Sequence, residues 1–183
     1  VQRGLIHEKY PDKWIFSLQE NTVTPESLLL HGQIVAQDEV DPILFSVTEL
    51  NSLKLSKLGL LQLPENIGKL EKLEILDISR NKLENLPNSI VTLKNLRILN
   101  LSCNMFKELP FFMGLFGKLT SLAVNNNQLA KLPDVGLLTE LAILDASDNE
   151  LKELPNTLTS LEKLVYLDVA HNQLEHLPDN IDD

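Results

Sequence analysis

Aliphatic residues recur along most of the chain in a fixed pattern. The segment from Leu119 to Leu132 reads Leu-Thr-Ser-Leu-Ala-Val-Asn-Asn-Asn-Gln-Leu-Ala-Lys-Leu and is followed by proline. Similar copies, spaced by 22 or 23 residues, begin at Leu50, Leu73, Leu96, Leu119, Leu141 and Leu164. A unit of this length cannot bury its apolar edge alone, so the pattern predicts a solenoid of stacked repeats.

Most copies follow the form Leu-x-x-Leu-x-Leu-x-x-Asn-x-Leu-x-x-Leu-Pro, which is the signature of a leucine-rich repeat. We expect its first half to form a short strand with alternating inward and outward side chains. The asparagine should hydrogen-bond backbone groups of its own and the adjacent repeat, because its amide both donates and accepts. Proline lacks an N–H and should begin the outer limb. The predicted fold is an α/β leucine-rich repeat solenoid, with a concave parallel sheet and irregular or short helical outer limbs.

Residues 1–49 do not fit the repeat, and we predict that they form an N-terminal cap before six repeats in residues 50–183. A cap is required because the first repeat needs an apolar cover. The residues from Asp12 to Glu20 predict a short helix. The residues from Pro42 to Val47 resemble the outer limb of an incomplete repeat. The residues expected to supply the cover are Trp14, Phe16, Leu28, Leu30 and Phe45.

The middle of this cap allows two interpretations. Thr24-Pro25-Glu26 is typical of a helix start, but Gly32 would interrupt the helix that follows. Alternatively, the residues from Ser27 to His31 form an extra edge strand before the first repeat. We favour the strand.

Three copies depart from the pattern. Leu58 replaces the first asparagine, so one rung of the predicted amide ladder is absent beside the cap. The copy around Pro133 is one residue short. The last copy stops at Asp183, before its final leucine position, and an uncovered repeat is unfavourable. We therefore expect the natural chain to continue.

Charge and composition argue against several functions. The formal net charge is −10 and the pI is about 4.8, whereas nucleic acid and anionic lipid require a cationic surface. We therefore predict no nucleic-acid binding by this domain. There is no long apolar run and no visible signal peptide, so we expect no membrane insertion. Cys103 is the only cysteine, which indicates a cytoplasmic setting because extracellular repeat domains usually carry disulfide-bonded caps.

The sequence offers no motif for catalysis, a metal or a cofactor. His171 and His176 flank a turn without any thiolate cluster, which favours two solvated loop histidines over a metal site. The segment from Gly114 to Thr120 resembles a phosphate-binding loop, but Phe112 stands where its first glycine belongs and Leu119 where its hydroxyl belongs. We predict that the domain is not an enzyme and holds no cofactor.

The repeat pattern predicts which side chains the concave face displays. Its N-terminal end is basic and its C-terminal end is acidic, with an apolar stripe alongside. Such a surface suits a partner protein or extended peptide of complementary polarity, although isoleucine is also simply favoured in strands. A further column is expected on this face, consisting of Ser56, Ser79, Ser102, Asn125, Ser147 and Ala170. The predicted partner-binding residues are Lys54, Lys57, Ile75, Asp77, Arg80, Ile98, Asn100, Asn125, Ile143, Asp145, Asp148, Tyr166, Asp168 and His171.

A second contact is predicted on one outer limb. Phe111, Phe112 and Leu115 occupy positions that are polar in the first repeat. Apolar groups at such positions indicate a contact with a partner, a neighbouring domain or a second copy. The alternative is that they fold inward over the loop.

Two resemblances follow from these residues. The 23-residue form with Leu-Pro-x-x-Ile-x-x-Leu resembles the intracellular leucine-rich repeat class of Ras-pathway scaffolds, cell-polarity scaffolds and plant Ras-group-related proteins. That class implies protein binding on the concave side. Glu26 to Gly32, followed by Pro42 to Val47, is similar to the start of the leucine-rich repeat-containing protein 47 family, in which a repeat domain precedes one related to phenylalanyl-tRNA synthetase.

These observations predict a signalling scaffold or protein-interaction module that binds a partner through its concave face. The alternative is a targeting or substrate-recruiting domain of a larger enzyme, possibly related to a tRNA synthetase, whose catalytic part lies beyond residue 183.

Overall fold

A parallel sheet runs through the whole computed structural model, which describes residues 22–23, 35–36, 39–40 and 42–178. The strands are β1 Thr22–Val23, β2 Val35–Ala36, β3 Glu39–Val40, β4 Ser52–Lys54, β5 Ile75–Asp77, β6 Ile98–Asn100, β7 Ser121–Ala123, β8 Ile143–Asp145 and β9 Tyr166–Asp168. The sheet has seven of them in the order β1-β4-β5-β6-β7-β8-β9, and β2 pairs with β3 in a separate antiparallel ladder. The predicted leucine-rich repeat solenoid is confirmed.

The central residue of each repeat strand faces the core. These leucines lie opposite one another in every strand pair from β4 to β9. All but Leu167 in the last strand are almost fully buried. A three-residue strand with one inward leucine leaves its first and third side chains on the opposite, concave face. This alternation is the physical basis of the predicted binding surface.

The outer limbs are short 3-10 helices, namely η1 Pro42–Ser46, η2 Glu65–Lys69, η3 Asn88–Thr92, η4 Phe111–Leu115 and η5 Asn156–Ser160. The helices η2 to η5 each follow an extended proline with φ between −73° and −64°. A 3-10 helix aligns positions i and i+3, so Ile67 and Leu70 both reach the core. In the shortened limb, Val135 and Leu138 remain buried, but the limb contains turns instead of a helix.

Asparagine side chains join the repeats where the chain leaves each strand. Asn81 Nδ2 donates to the carbonyls of Leu55 and Ile78, both at 2.9 Å. Its Oδ1 accepts the N–H groups of Leu58 and Leu60 at 3.0 and 3.1 Å. Asn104, Asn127, Asn149 and Asn172 make equivalent bonds to their own and the preceding repeat. The amide ladder is confirmed, and Asn81 supplies its first rung.

The N-terminal side of the sheet differs in part from the prediction. The strand beside β4 is Thr22–Val23, in register with Ser52 and Leu53. The predicted strand from Ser27 to His31 and the predicted helix from Asp12 to Glu20 lie outside the described residues, as do Trp14, Phe16, Leu28 and Leu30. Phe45 is fully buried, as predicted for a cover residue. The 3-10 helix η1 lies in the segment from Pro42 to Val47, whose pattern resembles an outer limb.

Candidate protein-binding surface on the concave face

Two rows of side chains cross the concave face from β4 to β9, because consecutive strands pair in the same register. We call the first the aliphatic row, which consists of Ser52, Ile75, Ile98, Ser121, Ile143 and Tyr166. We call the second the charged row, which consists of Lys54, Asp77, Asn100, Ala123, Asp145 and Asp168. The structure therefore aligns the predicted binding residues of these strands in two rows. Their use in binding stays a prediction.

Exposure of the aliphatic row increases toward the C-terminal strands. Ser52 is buried and Ile75 is half-buried, whereas Ile98 is exposed. Ile143 and Tyr166 are 43% and 50% exposed. Apolar side chains available for contact are therefore concentrated on β6, β8 and β9.

The acidic members of the charged row also have a structural task. Asp77 Oδ1 accepts the N–H of Ser79 at 3.0 Å, and Asp145 Oδ1 accepts the N–H of Ser147 at 3.1 Å. Asp168 does the same for Ala170. These local bonds close the turn that follows each strand. One carboxylate oxygen is therefore committed to the backbone, and charge reversal with lysine would disturb the turn as well as the charge.

The predicted column that runs from Ser56 to Ala170, two residues after the charged row, is less exposed than expected. Ser79 and Ser147 are buried, because their N–H groups turn back toward the carboxylates of Asp77 and Asp145. Asn125 is half-buried. Expecting this whole column on the surface was wrong at the two serines.

The next residue in each repeat turns the chain away from the sheet in a left-handed conformation. The φ values lie between 52° and 61° at Lys57, Arg80, Cys103, Asn126, Asp148 and His171. Asparagine and aspartate adopt this conformation more readily than other non-glycine residues, and their presence at two of these positions is a signal that sequence analysis could have used. All six side chains are exposed except that of Cys103, which is half-buried.

The concave charges are free of ion pairs within the described part of the chain. The three pairs found there, Lys72–Glu49, Arg97–Glu74 and Lys163–Glu140, include no residue of either row. Tyr166 Oη donates to Asp168 Oδ2 at 3.3 Å. The negative charge of Asp168 and then this hydrogen bond raise the pKa of Tyr166, with a smaller contribution from Asp145. The C-terminal end of the face is therefore negatively charged.

The predicted second contact splits into two parts. Phe111 is 89% exposed and Leu115 is exposed, but Phe112 is only 7% exposed. Phe112 packs against the core beside Met113, which occupies the inward position of Val135 in the next limb. Including Phe112 in an exposed patch was therefore wrong. Sequence analysis missed Leu137, which is exposed and occupies the position of Leu115 in the shortened limb.

The loop edge of the solenoid carries a shallow charged groove of about 420 Å³ that sequence analysis did not identify. It is lined by Lys107, Glu108, Ala130, Lys131, Lys152, Glu153, Glu175 and His176. His176 lies here, whereas His171 lies on a strand-exit turn. Among the described residues, no three His, Cys, Asp or Glu side chains cluster closely enough to hold a metal ion.

Two family models match the chain. A leucine-rich repeat region model covers residues 42–128, and a leucine rich repeat model covers residues 117–174. The chain is therefore a leucine-rich repeat protein. No curated protein sequence matches.

Several solved structures share the fold. A leucine-rich repeat protein of Leptospira interrogans is 31% identical, with a TM-score of 0.63 over 75% of this chain and 41% of that one. The ectodomain of the Arabidopsis thaliana membrane receptor kinase GASSHO1/SCHENGEN3, solved with Casparian strip integrity factor 2, is 35% identical, with a TM-score of 0.66 over 74% and 17%. The plant peptide hormone receptor RGFR1, solved with RGF2, is 28% identical, with a TM-score of 0.60 over 72% and 26%.

These comparisons define the class of protein. Leucine-rich repeat domains generally mediate protein–protein interaction and are typically non-catalytic. The chain spans less than half the length of the three solved relatives. Across the part of the chain that the structure describes, no helix is long and apolar enough to cross a membrane.

Proposed function

We propose that this domain binds a partner protein or extended peptide through the aliphatic and charged rows of its concave face. The observation that carries the proposal is the combination of exposed apolar side chains on β6, β8 and β9 with charges that no described side chain pairs. Partner contacts concentrate binding energy in such apolar anchors, while surrounding charges set specificity and the rate of association.

The concave face is basic at one end and acidic at the other, which supports a partner with the complementary distribution of charge. Near β4 and β5, Lys54, Lys57 and Arg80 outnumber Asp77. Near β8 and β9, the carboxylates of Asp145, Asp148 and Asp168 form no ion pair with a lysine or arginine that the structure describes. One solved relative is in complex with Casparian strip integrity factor 2, and another, a plant peptide hormone receptor, is in complex with RGF2, which supports a peptide or protein as the class of partner.

The setting of this interaction is also a proposal. A single half-buried cysteine supports a reducing, intracellular environment, and the 23-residue form supports the scaffold class that the sequence resembles. We further propose a cap in residues 1–49 before six repeats, and a non-enzymatic role. The exposed patch of Phe111, Leu115 and Leu137 is a candidate second contact.

The test uses substitutions that the repeats themselves tolerate. Serine occupies the aliphatic row at β4 and β7, so Ile98→Ser and Ile143→Ser together should preserve the fold. The immobilised chain captures proteins from cell extract, and quantitative mass spectrometry compares wild type with this double variant. We expect recovery of specific partners to fall about tenfold, because two apolar anchors are truncated.

The matched control is Glu71→Gln with Glu162→Gln, which alters two exposed outer-limb residues. Recovery should be unchanged there. Equal losses in both variants, or a loss only on Leu115→Ser with Leu137→Ser, would reject the concave face as the binding surface.

A further inference from the structure

The concave face has a gap in its middle strand. In β7 both outward residues are small, Ser121 in the aliphatic row and Ala123 in the charged row, and both are half-buried. The strands on either side carry larger groups at both positions. Ile98 and Ile143 flank Ser121, while Asn100 and Asp145 flank Ala123. We call this gap the β7 notch.

The notch has the dimensions of one bulky side chain. Adjacent strands lie about 4.8 Å apart, so the flanking isoleucines of β6 and β8 are separated by roughly 10 Å across β7. Both isoleucines are exposed, which leaves their flanks available to an inserted group. An apolar group that packs between two such side chains can act as an interface anchor, where binding energy is concentrated.

Charge is asymmetric around the notch. On the β6 side the charged row presents neutral Asn100. On the β8 and β9 side it presents Asp145 and then Asp168, which are adjacent in register. Asp148 lies exposed at the exit turn of β8. The exposed ring of Tyr166 stands beside them, and an aromatic face next to carboxylates favours a lysine or arginine side chain.

We propose that the β7 notch and the acidic surface of β8 and β9 form one docking site for an extended basic peptide segment. The segment inserts one bulky apolar side chain between Ile98 and Ile143 and places a lysine or arginine against Asp145 and Asp168. The two contacts are offset by one to two strand spacings and by two residues along the strand, which places them roughly 8–12 Å apart, and an extended chain covers that distance in three to four residues. This inference rests on the proposed function and specifies the chemistry of its ligand.

The test selects peptides from a random nonapeptide phage library on the immobilised chain. We expect the enriched peptides to share a leucine, methionine or aromatic residue with lysine or arginine three or four positions away. Enrichment of acidic or uncharged peptides would overturn the proposal.

One variant then tests the notch, and another tests the acidic surface. Ser121→Ile fills the notch with the residue found at this position in β5, β6 and β8, so the fold should tolerate it. Asp145→Asn with Asp168→Asn removes the charge but keeps the oxygen that closes each turn, as Asn100 does for Ser102. Each change should lower recovery of the selected peptides at least tenfold. Ser160→Ile, which adds the same side chain on an exposed outer limb, should leave recovery unchanged.

The outcomes separate this inference from the proposed function. Peptides that are lost on Ile98→Ser with Ile143→Ser but retained on Ser121→Ile would reject the notch while supporting concave-face binding. Peptides retained in all concave variants would reject both. Self-association of the chain in analytical ultracentrifugation that Ser121→Ile abolishes would identify a second copy as the occupant and also overturn the proposal.

Discussion

The strand side and the outer side of the same repeats are built differently. Strands β4 to β9 have three residues each and pair in one register throughout. Among the outer limbs, η2 to η5 are five-residue helices, but the limb between η4 and η5 forms only turns. The strand side therefore keeps its geometry where the outer side varies. The outer side can lose a residue because only two of its side chains must reach the core. In the shortened limb these are Val135 and Leu138, three positions apart.

Buried hydrogen bonds account for this difference. Asn104 on the strand side and Asn95 on the outer side both use the amide to join neighbouring repeats. Asn95 donates to the Glu71 carbonyl at 2.8 Å and accepts from Lys118 Nζ at 2.8 Å. Those bonds are exposed, so water can replace them, whereas the bonds of Asn104 are largely buried. The same chemistry should thus contribute differently to stability at the two positions.

The largest predicted effect breaks the amide ladder. Asn104→Ala removes the donor to the Ile78 and Leu101 carbonyls and the acceptor of the Leu83 N–H. An unsatisfied buried backbone group costs about 1–3 kcal/mol, so we expect the free energy of unfolding to fall by about 3 kcal/mol in urea denaturation. Asn95→Ala is the matched control and should cost about 0.5 kcal/mol because water replaces its bonds. Similar losses at both positions would contradict the contrast between the two sides.

The next prediction locates where the outer side is tightly packed. A Cβ on Gly68 would lie 2.7 Å from the Ser89 carbonyl oxygen of the next limb, whereas a Cβ on Gly117 would meet nothing within 4 Å. Overpacking costs about 1–3 kcal/mol. We therefore expect Gly68→Ala to lower the midpoint of thermal unfolding and Gly117→Ala to leave it unchanged or slightly raised. The outer side would be loosely packed throughout if both substitutions were neutral.

The repeat period of the sequence was enough to predict the structure of the strand side, because every repeat has to meet the same physical requirements there. The row order, the amide ladder and the inward leucines all follow from position within the repeat. The outer side could not be predicted in the same way. Phe111 and Phe112 are chemically identical, so the sequence does not indicate which ring packs inward. In the structure the two rings make a T-shaped contact with their centroids 5.8 Å apart. The buried position of Ser79 depends on a local bond to Asp77 that the repeat pattern does not specify.

The smallest predicted effect separates structure from recognition within the charged row. Asp145→Ala removes the acceptor of the Ser147 N–H and hydroxyl, at 3.1 and 2.7 Å, and should cost about 1 kcal/mol. Asp145→Asn keeps this acceptor and relieves repulsion from Asp168 on the adjacent strand, so its unfolding free energy should stay within about 0.5 kcal/mol of wild type. Urea denaturation of both variants at neutral pH makes the comparison. If asparagine were as destabilising as alanine, the carboxylate charge itself would support the fold, and weakened binding in that variant could no longer be assigned to recognition.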